Sequence, residues 1–200
     1  VVEALGAGPG DVVVDLCAAP GGKATALAAA GARVVAADIR PHRVRLVAGN
    51  IERTAADRPE TGAALAVVAD ARRPAVRPGC ADVVLVDAPC SGLGVLRRRP
   101  DARWRITAAD VAELADLQVE LLDAAAPLVG DGGLLAYSVC TLTTAETIDV
   151  ARRFAAAHPD FEPADPPGGP WVPWGSGGLL LPQADDSDGM ALFLWRKGQP

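Results

Sequence analysis

Two thiols and a carboxyl group are the residues of this chain best suited to covalent chemistry. Cys90 lies in Asp87-Ala-Pro-Cys-Ser-Gly-Leu-Gly94, and Cys140 in Tyr137-Ser-Val-Cys-Thr141. Each follows an apolar run with strand character, Val83 to Val86 and Leu134 to Tyr137. In an open parallel sheet the carboxyl ends of the strands line one crevice where ligands bind. A thiolate is a strong nucleophile, so a crevice thiol beside Asp87 points to covalent catalysis. Packing as small core hydrophobes is the plain alternative for both cysteines, and the neighbouring motifs weigh against it. A second feature is an Arg-rich loop, with Arg97, Arg98, Arg99, Arg103 and Arg105 around Trp104. Such a loop can hold phosphates and stack a base, or simply be solvated. Arg40, His42, Arg43 and Arg45 form a second basic cluster.

These groups need elements to place them, and the apolar runs predict a regular alternation. Val12 to Val14 reads as a first strand ending at Asp15, and Lys23 to Ala30 as an Ala-rich helix. Arg33 to Ala37 predicts a second strand ending at Asp38, followed by a helix over Pro41 to Ala56. Leu65 to Ala69 and Asp82 to Val86 predict strands ending at Asp70 and Asp87. Helical spacing runs from Thr107, a plausible cap, to Leu128. Gly132 to Ser138 predicts a fifth strand, Thr144 to Ala157 a helix, and Met190 to Trp195 a last strand. Pro163 to Pro182, rich in Pro, Gly and Trp, reads as an irregular excursion at the sheet edge. Alternating strands and helices imply a parallel sheet covered on both faces. Four strands ending in an acid suggest a function, because lone buried carboxylates are costly.

Asp15-Leu-Cys-Ala-Ala-Pro-Gly-Gly-Lys23 reads as a tight strand-to-helix turn that offers free N–H groups at a helix start. A phosphate-binding Walker loop needs Gly where Cys17 stands and Ser or Thr where Ala24 stands, so an NTPase is disfavoured. A dinucleotide fold needs Gly-x-Gly-x-x-Gly, which the turn lacks. S-adenosylmethionine is the third class. It needs an acid after strand two for the ribose and a polar group after strand three for the adenine, and Asp38 and Asp70 occupy those places. Each Asp also fits a helix or turn cap.

The turn, Asp87-Ala-Pro-Cys-Ser-Gly, Arg97-Arg-Arg-Pro-Asp-Ala-Arg-Trp104 and Ser138-Val-Cys-Thr141 together resemble the Nop/Sun family of RNA cytosine-5 methyltransferases. The bacterial RsmB type is the nearest branch. The resemblance extends over nearly the whole chain, to Asp188-Gly-Met before the last strand. It implies an α/β, class I, Rossmann-like methyltransferase fold: a seven-stranded sheet, mostly parallel with an antiparallel last strand, and helices on both faces. It places Cys17, Ala18, Ala19, Pro20, Gly21, Gly22 and Lys23, with Asp38, Arg43, Asp70 and Asp87, around S-adenosylmethionine. It makes Cys140 the nucleophile toward carbon 6 of cytosine and Cys90 the group that assists product release. DNA cytosine-5 methyltransferases share the chemistry but use the Pro-Cys cysteine as nucleophile. Asp87 is expected to serve ring nitrogen 3, with Lys23 orienting it or touching substrate. Arg97, Arg98, Arg99, Arg103 and Trp104 are expected to hold RNA, most naturally ribosomal RNA. Val139 and Arg99 depart from the family pattern, which favours Thr or Ser and His there, without removing a catalytic atom.

The bulk composition bounds this reading. Two hundred residues, half of them hydrophobic, suit one α/β domain with a full core. No run of about 18 apolar residues predicts a transmembrane helix, and no signal peptide is evident. Cys17, Cys80, Cys90 and Cys140 lack metal-ligand spacing, so no metal is expected, and reduced thiols in a cytoplasm are the expectation. A net charge of −6 argues against nucleic-acid binding over the whole surface. The chain opens at Val1 in what reads as a cut helix, so the expectation is a catalytic domain lacking an amino-terminal RNA-binding region. Two other readings stay open: a silent RNA-binding scaffold, and a methyltransferase for a non-RNA acceptor that needs no thiol.

Overall fold

Short runs of Val, Ala and Leu build a single sheet in the computed structural model, which describes residues 1–57, 62–165, 168–183 and 186–199. The chain opens with α1 (Val2–Leu5), β1 (Val12–Asp15), α2 (Gly22–Ala29), β2 (Arg33–Asp38) and α3 (Pro41–Asp57). It continues through β3 (Ala64–Val68), β4 (Ala81–Asp87), α4 (Ala102–Arg105), α5 (Ala108–Ala125) and β5 (Val129–Val139). It closes with α6 (Ile148–Ala157), β6 (Phe161–Pro163), β7 (Val172–Trp174), β8 (Gly177–Leu180) and β9 (Met190–Lys197).

The strand order is β3-β2-β1-β4-β5-β9-β8-β7, with β6 also paired to β9. β1 to β5 run parallel, while β9 is antiparallel to β5 and to β8. The order reverses between β1 and β4, and a crevice opens at such a point outside the carboxyl ends of the strands. Asp15, Asp38 and Asp87 are the last residues of β1, β2 and β4 at that edge.

The pleat sends alternate side chains to opposite faces, so each strand feeds two cores. Val14, Val84, Val86, Leu135 and Tyr137 pack with Leu121, Leu122 and Phe154 beneath α5 and α6. Val13, Val83, Leu85 and Ala136 pack with Leu27 and Val47 beneath α2 and α3. Strands buried on both faces need no polar alternation, which explains the Val-rich runs. Trp195, Phe154 and Phe161 close one end, with Phe154 and Trp195 centroids 4.6 Å apart.

The fold corrects three expectations. The sheet has nine strands among the described residues, not seven. The excess comes from the segment expected to be irregular. β7 and β8 form a hairpin that adds to β9, and β6 takes the other end of the same β9 edge. The hairpin turns at Gly175, at φ 62°, and Gly177 lies where any Cβ would strike the Phe193 ring. Small residues therefore permit a sheet edge where composition suggested only loop. Helix α6 starts at Ile148, not Thr144, because Thr147 Oγ donates to the Thr143 carbonyl at 2.6 Å and Glu146 turns inward. Pro166 and Pro167, within the predicted excursion, lie outside the described residues.

Candidate functional site

The two cysteine loops leave neighbouring strands at matched positions. Asp87 of β4 is in register with Ser138 of β5, and Ala88 N donates to the Ser138 carbonyl at 2.9 Å. Three residues past Asp87 and two past Ser138, the thiols meet, with Cys90 Sγ 3.3 Å from Cys140 Sγ. The loops are knitted by Gly94, whose N–H donates to the Cys140 carbonyl and whose carbonyl accepts from Gly189 N, both at 2.9 Å. A Cβ on Gly94 would overlap the Gly189 carbonyl and come within 2.9 Å of the Cys140 carbonyl oxygen, so only glycine lets the three loops converge.

The two thiols are electrostatically unequal. A hydrogen bond from Cys90 favours the Cys140 thiolate and lowers its pKa to about 7, and Lys23 adds to the effect. Cys90, tied to Cys140 and partly buried, is pushed far up and remains a thiol. Cys17 lies under the cofactor turn near Asp15, Asp87 and Asp38, and burial first, then these carboxylates, push its thiol up to about 12. It is therefore inert at neutral pH.

The Lys23 ammonium, at the start of α2, donates to the Asp87 carboxyl group at 2.6 Å. The turn before Lys23 is held by its backbone. Gly21 adopts φ 108°, and a Cβ there would press on Val47 Cα at 3.2 Å. Arg43 donates to the Ala19 carbonyl at 2.7 Å and reaches Asp38 at 3.4 Å, clamping the turn to the end of β2.

A cavity of about 410 Å³ lies along this edge, walled by Cys17, Ala19, Asp38, Arg43, Asp70 and Asp87 among the expected residues. Ile39, Leu117 and Leu121 supply apolar walls. Ala18, Pro20, Gly21, Gly22 and Lys23 shape the turn without lining the cavity. The volume and mix of carboxylates with apolar faces fit a nucleoside-bearing cofactor such as S-adenosylmethionine. Asp70 is drawn by Arg72 through two side-chain bonds, at 3.1 and 2.9 Å, and this partner lowers its pKa.

The Arg-rich loop is less uniformly cationic than its sequence. Arg97 pairs with Asp186 at 2.5 Å, Arg98 with Asp188, and Arg105 with Asp101. The Arg103 guanidinium sits 4.7 Å over the ring of Trp104, which is 79% exposed. Arg99 is exposed.

Several site residues lay outside the sequence reading. Arg72 and Ile39 wall the cavity, and Gln118 and Glu146 are fully buried behind the thiols. Asp15 was visible as a strand-end acid. Among the described residues neither of its buried carboxylate oxygens has a hydrogen-bond partner, and burial, with Asp87 nearby, raises its pKa to about 7. No helix of the described residues is long and apolar enough to cross a membrane, and no group of three His, Cys, Asp or Glu among them is arranged to hold a metal.

A Rossmann-like mixed sheet with flanking helices, a cofactor-sized crevice at its carboxyl edge and paired thiols beside it define the class: an S-adenosylmethionine-type methyltransferase fold. Comparison with known proteins narrows this. Residues 2–193 match the model of the 16S rRNA methyltransferase RsmB/F family, and the chain belongs to that family. It is 43% identical over 168 residues to ribosomal RNA small subunit methyltransferase B of Thermus thermophilus, covering 82% of this chain and 39% of that protein. It is 38% identical over 192 residues to the protein of the same name from Cronobacter sakazakii, covering 94% and 42%. The crystal structure of NSun6 from Pyrococcus horikoshii with SFG superposes with a TM-score of 0.83 at 26% identity, covering all of this chain and 51% of that one. The crystal structure of PH0851 gives 0.90 at 32% identity, covering 98% and 44%. The chain thus spans about two fifths of the length of these curated relatives.

Proposed function

We propose that residues 1–200 form a catalytic domain that methylates carbon 5 of a cytosine in RNA, with Cys140 as the nucleophile. The observation that carries this reading is the 3.3 Å approach of Cys90 and Cys140 beside Asp87. A methyltransferase acting on nitrogen or oxygen has no need of a thiol pair, because its acceptor is already nucleophilic. The names of the bacterial relatives support ribosomal RNA as the substrate. The cysteine spacing in the sequence, without a disulfide or metal pattern, is the ground for a reducing cytoplasm as the setting.

The residues account for the steps. Carbon 5 of cytosine is too electron-poor to take a methyl group directly. Addition of the Cys140 thiolate at carbon 6 makes carbon 5 nucleophilic and places electron density at ring nitrogen 3. The Lys23–Asp87 pair holds a proton beside that nitrogen and stabilises the developing charge. S-adenosylmethionine, held by Asp38, Asp70 and the turn ending at Lys23, supplies an electrophilic methyl group. A water molecule in the open crevice, acting as general base, then takes the carbon 5 proton; the C5–H electron pair reforms the C5–C6 double bond, and the carbon 6–sulfur bond breaks with its electron pair returning to Cys140. Cys90, still a thiol, donates to the departing sulfur at 3.3 Å. The target base must leave any stack to reach this crevice. Arg99 and the Arg103–Trp104 platform face its flanking nucleotides, while Arg97 and Arg98 act as struts to Asp186 and Asp188.

RNA containing 5-fluorocytidine, mixed with the chain and S-adenosylmethionine, tests this. Fluorine at carbon 5 blocks elimination, so a denaturation-stable adduct is expected on Cys140 and is absent from Cys140→Ala. Cys90→Ala is expected to accumulate adduct with ordinary cytidine. An adduct mapped to Cys90 in the Cys140→Ala protein would overturn the assignment.

A further inference from the structure

We propose that Glu146 is the positioning residue that sets the separation of the two thiols, a role resting on the reading of Cys140 and Cys90 as the reactive pair. Its side chain is fully buried, and one carboxylate grips both cysteine loops. Oε1 accepts from the backbone N–H of Ser91, the residue after Cys90, at 2.8 Å. Oε2 accepts from Thr141 Oγ, on the residue after Cys140, at 3.2 Å, and from Thr143 Oγ at 3.0 Å. Ser91 and Thr141 hydroxyls meet at 2.9 Å, closing a ring around the carboxylate.

A second tie reinforces it. Gln118 of α5 donates to Glu146 Oε1 at 3.1 Å and to the carbonyl of Pro89, just before Cys90, at 2.8 Å. The Gln118 oxygen in turn accepts from the Tyr137 hydroxyl at 2.8 Å. A buried carboxylate is costly unless its lone pairs are filled, and here they are filled by groups adjoining the two cysteines. Removing it leaves the buried Ser91 N–H without its acceptor and cuts the carboxylate link between the loops, leaving the Gly94–Cys140 backbone bond and the Ser91–Thr141 hydroxyl contact. The thiol contact then loses its enforced distance. Because Glu146 is enclosed and occupied by donors, it cannot itself take the carbon 5 proton, so it acts through the cysteines.

The test uses the chain without RNA, so it is independent of the methylation reading. Iodoacetamide alkylation of Cys140 is followed against pH by peptide mass spectrometry in the parent, Glu146→Ala, Glu146→Gln and Thr141→Val proteins. Melting temperature and S-adenosylmethionine affinity by calorimetry report fold and cofactor site. The charged or titratable groups near Cys140 are Cys90, Asp87, Lys23 and Arg98, all unchanged in these variants, and Glu146 itself, whose loss as a charge favours the thiolate, so an upward shift reports the lost thiol contact. The parent profile is expected to have its midpoint near the thiol's value of about 7. Glu146→Ala is expected to move it upward by about one unit, toward an ordinary thiol, with cofactor affinity within about twofold. Glu146→Gln should restore the profile, because its oxygen keeps Ser91 and Gln118 while the threonine hydroxyls turn to accept its amide. A folded Glu146→Ala protein with the parent profile refutes the proposal. Should that variant not fold, Thr141→Val decides, since it removes the Thr141 hydroxyl's bonds to Glu146 and Ser91 while leaving Glu146 bound to the Ser91 N–H: an upward shift supports the role and an unchanged profile overturns it. A shifted profile in a chain that never forms the 5-fluorocytidine adduct keeps the clasp and removes the RNA reading.

Discussion

At the residue scale, identical side chains differ by environment. Cys17 and Cys140 are both thiols at the carboxyl edge, yet burial among carboxylates pushes one up to about 12 while a hydrogen bond from Cys90 lowers the other to about 7. Brief alkylation at pH 8 should therefore label Cys140 and spare Cys17, as peptide mapping would show. Asp15 carries a stability consequence. Its pKa is raised to about 7 in the fold, above its unfolded value, so the folded state holds the proton more tightly. Its contribution is full below the unfolded pKa and is lost as pH rises through about 7. Melting Asp15→Asn and the parent across pH should show the variant gaining on the parent by on the order of 4 kcal/mol between about pH 4 and 7, then a constant difference. A difference that does not change with pH would sink this account. The types of these residues were legible in sequence, but their ionisation was not, because burial and distance set it.

At the scale of elements, the site depends on loops that touch without side chains between them. Gly94→Ala should push the Cys90 loop away from Gly189 and Cys140, costing about 1–3 kcal/mol by overpacking and abolishing adduct formation. Thermal unfolding and the adduct assay would read both effects. The start of α5 offers a contrasting control. Thr107 and Asp110 form a reciprocal cap, with Asp110 N donating to Thr107 Oγ at 3.2 Å and Thr107 N to Asp110 at 2.8 Å. Thr107→Ala should lower stability by about 1 kcal/mol while leaving S-adenosylmethionine affinity unchanged. This cap was readable because it is local. The β7–β8 hairpin was not, because its partner β9 lies further along the chain and Pro-Gly-Trp composition conceals strand character.

Over the whole molecule, a net charge of −6 coexists with an Arg-rich loop between β4 and α5. Acids crossing from the loop before β9 neutralise Arg97 and Arg98, so sequence counting overstates the field this loop would present to the proposed RNA. Phosphate contacts release counterions, and each one on a single strand steepens the salt dependence by about 0.7. Arg99→Ala and Arg103→Ala should each weaken RNA binding and reduce the slope of log K against log salt by roughly that amount. Fluorescence anisotropy across a salt series would measure it, and slopes equal to the parent's would place the RNA elsewhere.

The sequence by itself determined the alternation of strands and helices, the cofactor turn and the identity of the two thiols. Each of these is carried by local runs such as Val83 to Val86 or by motifs such as Asp87-Ala-Pro-Cys90. Only the tertiary structure decided that Cys90 and Cys140 stand 3.3 Å apart, that Lys23 is bound to Asp87, and that Glu146 joins the two loops. The physical reason is register: pairing Asp87 with Ser138 brings together groups some fifty residues apart. Burial then fixes which of them keep their protons.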